Sequence, residues 1–257
     1  QFQSKLASLL FFDPACGSGN FLTETYISLR RLENEAIKLY MGDAVALDLG
    51  QDLVKVKLNQ FYGIEINDFA VSVAKTALWI AENQMLEETK DIVFANIDFL
   101  PLKSYTNIVE GNALEIDWET VVPKERLSYI IGNPPFLGAR NMADTQKKAV
   151  QAIFSTLSKN DVQMLDYVTC WFKKAAEFIV DTEIRVALVS TNSIVQGSQV
   201  PILWKLLLEE YKIQINFAYQ TFKWTSDSLH QAAVHCVIIG FSQVRTTEKK
   251  LFINSSF

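Results

Sequence analysis

Short apolar runs alternate along the chain with longer segments whose apolar positions recur three and four residues apart. Residues 9–12, 61–66, 107–109, 127–132, 185–190, 213–218 and 233–241 read as strands. Residues 21–40, 68–83, 145–157 and 166–180 read as helices; in the last of these Val168, Trp171, Phe172, Ala175, Ala176 and Ile179 fall on one face. Strand–helix alternation of this kind predicts βαβ units. The fold class is therefore α/β, a doubly wound, mostly parallel seven-stranded sheet of Rossmann type. No helix-sized segment separates the last two strands, which are predicted to form an antiparallel pair at the sheet edge. The pattern shows no internal repeat and no Gly/Ser linker.

Composition narrows the class. The chain has 257 residues, 49% of them hydrophobic and 21% charged, enough apolar material for one large domain spanning residues 1–257. No stretch approaches the roughly 18–20 uninterrupted apolar residues of a membrane span, and no signal peptide opens it. It begins without Met and enters an apolar strand almost at once, so it reads as a piece of a longer protein. Cys16, Cys170 and Cys236 are far apart and odd in number, and the only histidines are His230 and His235. A disulfide framework and a metal site are not expected, and a cytoplasmic setting is. The formal net charge of −5 argues against an autonomous nucleic-acid binder, since phosphate contacts demand clustered Lys and Arg.

In doubly wound sheets ligands sit beyond the carboxyl ends of the strands, so the residues that follow each strand carry the chemistry. The string Asp13-Pro14-Ala15-Cys16-Gly17-Ser18-Gly19-Asn20-Phe21 follows the first strand and opens the first helix. Gly17 and Gly19 can adopt turn conformations closed to other residues. Amides at the helix start suit a carboxylate and Asp13 suits an ammonium, whereas Asp13 would repel a pyrophosphate. Glu65 ends the second strand, where a carboxylate can accept both hydroxyls of a ribose. It lies 48 residues beyond Gly17, against about 20 in a compact unit, and the excess falls within residues 33–58 as an extended or inserted helical segment. Asn112 follows the third strand and offers both a donor and an acceptor to an adenine ring, with Asp98 a competitor for that role. Ala15, Asn20, Phe21, Ile66 and Ala113 flank these positions and complete the predicted binding set.

The Asp13–Gly19 string resembles the cofactor loop of class I S-adenosylmethionine-dependent methyltransferases, in the form used by amino-methylating DNA enzymes. Asn133-Pro134-Pro135-Phe136, after the fourth strand, resembles the [DNS]-P-P-[YFW] motif of the same enzymes. Two prolines end the ladder and fix a stiff turn. An aromatic amino group is a poor nucleophile because its lone pair is delocalised. The Asn133 oxygen and the Pro134 carbonyl can hold its two N–H bonds and free that lone pair. Phe136 would stack on a base flipped out of the duplex. Trp224 or Phe222, ahead of the last strand, would be the second wall; both alternatives stand. Asn rather than Ser in the first motif position implies adenine N6 over cytosine N4. A cytosine-C5 mechanism needs a cysteine nucleophile, usually in a Pro-Cys pair, which the chain lacks. His235, inside an apolar strand, reads as structural.

The order of these strings, with G-N-P-P-F-L-G, S-T-N-S-I-V-Q-G and A-V-H-C-V-I-I-G-F, looks like the methyltransferase region of MmeI-type (type IIL) restriction-modification enzymes, in the gamma-type arrangement. The resemblance implies a double-stranded DNA substrate gripped mainly by a target-recognition domain outside this chain, with a nuclease domain also absent from it. Methylation of a protein glutamine or an RNA base, and a non-catalytic cofactor-binding module, are the competing readings.

Overall fold

The computed structural model describes residues 1–41, 53–93, 107–224 and 234–253, which group into two compact units. Gln1–Ala113 with Asp117–Leu127 form the first, and Leu114–Ile116 with Ser128–Phe257 the second.

The first unit is a parallel three-stranded sheet in the order β3-β2-β1, with β1 at Phe11–Asp13, β2 at Phe61–Glu65 and β3 at Asn107–Glu110. Three helices accompany it: α1 (Phe2–Ser8), α2 (Asn20–Met41) and α3 (Asp68–Val93). β1 and β2 are buried because apolar side chains occupy both of their faces, and Phe11 stacks on its register partner Phe61 at 5.4 Å. Phe12 meets Trp118 edge-on at 5.2 Å, and the Trp118 indole donates to the Ala113 carbonyl at 2.9 Å.

The long excursion between the glycine loop and Glu65 begins as an extended α2. Residues 42–52 lie outside the description, and the chain returns along the two long helices at residue 53. A fully buried charge network ties this return in place. Arg30 pairs with Glu33 and donates to Thr89 Oγ1 at 2.7 Å, while Glu33 accepts the Lys55 amide at 2.7 Å. Both charges are thus paired and hydrogen-bonded, as burial requires.

The second unit contains β4 (Tyr129–Gly132), β5 (Arg185–Thr191), β6 (Gln214–Trp224), β7 (Val234–Ser242) and β8 (Lys250–Phe252), ordered β4-β5-β7-β6-β8. β4 and β5 are parallel, and β7 runs antiparallel to both β5 and β6. Its helices are α4 (Asp144–Ile153), α5 (Lys159–Val162), α6 (Thr169–Phe178) and α7 (Gln199–Lys205), the last running on into a π-helical turn at Leu206–Glu210.

Every predicted strand is present, and the last of the seven is antiparallel as expected. Two details differ. β7 is inserted between β5 and β6 rather than lying at an edge, which its buried Cys236, Val237, Ile239 and Phe241 require. An eighth strand, β8, pairs with β6; its three residues are all exposed, so it carries no apolar periodicity to announce it. α6 begins three residues later than the sequence pattern suggested, and Asp166 lies ahead of it. Among the described residues no helix is long and apolar enough to cross a membrane.

Candidate active site

Parallel register brings the carboxyl ends of β1, β2 and β3 to one edge of the first unit. Asp13 ends β1, Glu65 ends β2, and Glu65 pairs directly with Glu110, which ends β3. Asn112 follows two residues later and is half-buried. The glycine loop turns over this edge. Gly17 and Gly19 have φ of +53° and +83°, the left-handed region that other residues enter at a cost. Gly19 is further constrained by space, since a Cβ there would lie 2.9 Å from the Ala74 Cβ on α3. The loop is laced down by the Cys16 amide donating to the Ile64 carbonyl at 3.1 Å and the Gly19 amide to the Cys16 carbonyl at 2.8 Å. Glu65 accepts the Gly17 amide at 2.9 Å and the Asn67 amide at 3.0 Å.

Asp13 is buried and accepts the Ala15 amide at 2.9 Å. Burial pushes its carboxyl up to about 7; the Ala15 hydrogen bond opposes that rise and the nearby Glu65 carboxylate adds to it. Among the described residues neither carboxylate forms a salt bridge. Asn20 is exposed at the first position of α2, Phe21 is half-buried behind it, and Ala113 is buried beyond Asn112. Ile66 is 68% exposed directly after Glu65, leaving an apolar face at the strand end. Asp98 lies outside the described residues. The predicted cofactor residues of the first unit thus share one sheet edge. A groove of about 780 Å³ lined by Lys55, Lys57, Asn59 and Arg126 opens at the amino ends of the same strands, away from this edge.

In the second unit Gly132, the last residue of β4, pairs with Leu188 of β5. Asn133, Pro134, Pro135 and Phe136 therefore leave the sheet beside the end of β5. Pro134 is buried, Pro135 exposed, and Asn133 and Phe136 half-buried. The Asn133 side-chain oxygen is buried and has no hydrogen-bond partner among the described residues. Such an orphaned acceptor is costly, of order 1–3 kcal/mol.

Cys236 of β7 pairs with Thr191 on one side and Phe222 on the other, so the ends of β5 and β6 lie in one row across the sheet. Phe222 is half-buried on this row and Trp224 ends β6 two residues on; only the backbone of Trp224 belongs to the description. His235 is exposed near the start of β7 and is not a core residue, contrary to the expectation from its apolar neighbours.

Sequence reasoning missed Asp166. Its Oδ1 accepts the Ala139 amide at 2.9 Å, and its Oδ2 accepts from the Ser193 hydroxyl at 2.5 Å and the Gln199 amide group at 2.7 Å. A short acid just before an apolar helix is also a helix-start signal, and that reading hides any other role.

The family model for the MmeI DNA-methyltransferase domain matches residues 1–253. "DNA methyltransferase A" of Bacillus subtilis (strain 168) is 43% identical over 98% of this chain and 29% of its own length. The structure of the type IIL restriction-modification enzyme MmeI in complex with DNA superposes at TM-score 0.93 with 44% identity, covering 99% of this chain and 34% of that one. The chain thus spans about a third of the length of these relatives. The ATP-dependent type ISP enzyme LlaBIII, bound to DNA, shares the fold at TM-score 0.59 and 15% identity, over 96% of this chain and 18% of its own. The fold is also that of a Listeria monocytogenes structure assigned to the class I S-adenosylmethionine-dependent methyltransferases, at TM-score 0.52 and 13% identity over 96% of this chain and 59% of that one. The chain belongs to the MmeI DNA-methyltransferase domain family.

Proposed function

We propose that residues 1–257 form one catalytic domain that transfers a methyl group from S-adenosylmethionine to the N6 amino group of an adenine flipped out of double-stranded DNA, as the modification activity of a restriction-modification system. The observation that carries this reading is the buried Asn133 oxygen, which has no hydrogen-bond partner among the described residues, at the start of a Pro-Pro turn. It is an acceptor awaiting an N–H donor, which an exocyclic amino group supplies.

The residues of the first unit fit the cofactor. Gly17 and Gly19 hold a loop whose backbone a ligand can approach. Asp13, buried and without a cationic partner among the described residues, suits the amino group of the methionine part. Glu65 suits the ribose hydroxyls, Ile66 a face of the adenine ring, and Asn112 its polar edge, with Ala15, Asn20, Phe21 and Ala113 around them. When bound, S-adenosylmethionine supplies an electrophilic methyl on a sulfonium. Asn133 Oδ1 and the Pro134 carbonyl would accept hydrogen bonds from the two N–H groups of the target amino group, favour a pyramidal nitrogen whose lone pair is directed outward, and hold the proton that the methylated nitrogen then releases to solvent. Pro135 holds the turn rigid, and Phe136 stacks on the base. Phe222 or Trp224 forms the opposite wall. Catalysis is positioning and electrostatic stabilisation rather than proton abstraction by a strong base.

The relatives named above support DNA as the substrate. With a net charge of −5, this chain needs other parts of the protein to supply most of the duplex contacts. The test offers the intact protein radiolabelled S-adenosylmethionine with duplex DNA, RNA or a glutamine-bearing peptide. Label is expected on DNA and, after nucleoside digestion, on N6-methyladenine. Label on N4-methylcytosine, RNA or peptide, or no transfer with intact cofactor binding, overturns the reading.

A further inference from the structure

The geometry points to Asp166 as a positioning residue that sets the spacing of the two walls of the target-base site. This rests on the reading of Asn133 and Phe136 given above. Asp166 lies between α5 and α6, outside every motif assigned so far. Beyond Phe136 the chain is pinned at two points. The Tyr167 amide donates to the Leu137 carbonyl at 2.9 Å, and the Ala139 amide donates to Asp166 Oδ1 at 2.9 Å. The other carboxylate oxygen accepts from Ser193 at 2.5 Å, in the loop that leaves β5. Gln199 of α7 clamps Asp166 twice, donating to Oδ2 at 2.7 Å and accepting the Asp166 amide at 3.0 Å.

From Ser193 the connection continues to the second wall. Ser193 Oγ lies 2.5 Å from Thr191 Oγ1 at the end of β5. Its neighbour Asn192 accepts from Thr221 Oγ1 at 2.6 Å, and Thr221 immediately precedes Phe222. β6 is irregular between Tyr219 and Phe222, which brings Thr221 out of the regular ladder where it meets Asn192. One carboxylate therefore ties the loop that carries Phe136 to the strand segment that carries Phe222. Only a carboxylate serves, because three donors converge on it: the Ala139 N–H, the Ser193 O–H and the Gln199 N–H. It is an acceptor-only group with about four lone-pair sites, and its hydrogen bonds are charge-assisted. An asparagine would present two N–H donors in place of one oxygen and repel at least one partner.

The test compares Asp166→Ala, Asp166→Asn and Ser193→Ala with the unmodified intact protein by amide hydrogen exchange and by methyl transfer. In Asp166→Ala, exchange at Ala139 and across residues 191–196 is expected to rise at least about tenfold, with the glycine loop at residues 15–23 unchanged. S-adenosylmethionine affinity stays within a few-fold. Single-turnover methylation of DNA falls about 100-fold, the scale of a 1 Å misplacement, and fluorescence of 2-aminopurine at the target position drops. Asp166→Asn lies between, and Ser193→Ala loosens residues 191–196 while sparing Ala139. Unchanged exchange in Asp166→Ala overturns the bridge. Faster exchange with undiminished methylation overturns the positioning role. A global rise in exchange that includes the glycine loop makes Asp166 a folding residue and likewise overturns it. If the unmodified protein transfers no methyl to DNA, the functional reading fails by itself, while the exchange data still decide the bridge.

Discussion

The carboxylate of Glu65 accepts the amide of Gly17 at 2.9 Å, across 48 residues of chain. The residue proposed for the ribose thus also braces the glycine loop proposed for the methionine part. Replacing Glu65 with Ala removes the ribose acceptors and frees the loop together. Charge-assisted hydrogen bonds contribute about 1.5–3 kcal/mol each, so S-adenosylmethionine affinity is expected to fall at least about tenfold to 100-fold by titration calorimetry. Glu65→Gln, which keeps one acceptor, is expected to lose less. Equal affinity in both variants and the parent would remove Glu65 from the site.

Asn133→Ala separates stability from function. The substitution deletes a buried oxygen that has no partner among the described residues. Thermal unfolding is expected to show stability unchanged or raised by about 1 kcal/mol. Cofactor affinity stays within a few-fold and methyl transfer falls below about a thousandth of the parent rate, the cost of losing a key transition-state acceptor. Residual turnover near the parent level would disprove the role given to Asn133.

Asp13 makes cofactor binding pH-dependent. Burial raises its carboxyl to about 7, against 3.8 for the ordinary group. Bringing an ammonium beside it favours the ionised form, so below pH 7 binding must release a proton. The logarithm of the affinity is expected to rise by up to one unit per pH unit below about 7 and to level above it. The same shift acts on folding with the opposite trend. The unfolded chain gives up this proton earlier, so folding stability falls by up to about 4 kcal/mol as the pH rises from 4 to 7. Calorimetry in buffers of different ionisation enthalpy measures the proton release. A pH slope that survives Asp13→Asn would assign it to another group.

The two loop glycines are expected to differ. Gly17→Ala meets open space and bears only the left-handed backbone penalty of about 1–2 kcal/mol. Gly19→Ala bears that penalty and also drives a Cβ to 2.9 Å from Ala74 on α3, adding about 1–3 kcal/mol of overpacking. Urea unfolding should rank them in that order, with Gly19→Ala also losing cofactor binding. Equal midpoints would mean that α3 yields at Ala74.

The sequence by itself determined the local chemistry. Glycines before a helix, a carboxylate at a strand end and Asn-Pro-Pro-Phe after an apolar run are dictated by φ, by the missing proline N–H and by strand ends, all of which act within a few residues. Strand positions were legible for the same reason, because side-chain burial repeats with the local period. Only the tertiary structure decided what depends on contacts distant in sequence. β7 entered between β5 and β6, since antiparallel pairing is set by which neighbour buries Val237, Ile239 and Phe241 and not by chain order. β8, exposed on every residue, left no periodic trace. Glu33 reached forward to the amides of Lys55 and Val56, and Asp166 gathered donors from 27 and 33 residues away. A polar side chain shows its type in the sequence, but its partners are chosen by geometry. The candidate residues for this chemistry could therefore be named from the sequence, while the contacts that brace them emerged only when the chain was folded.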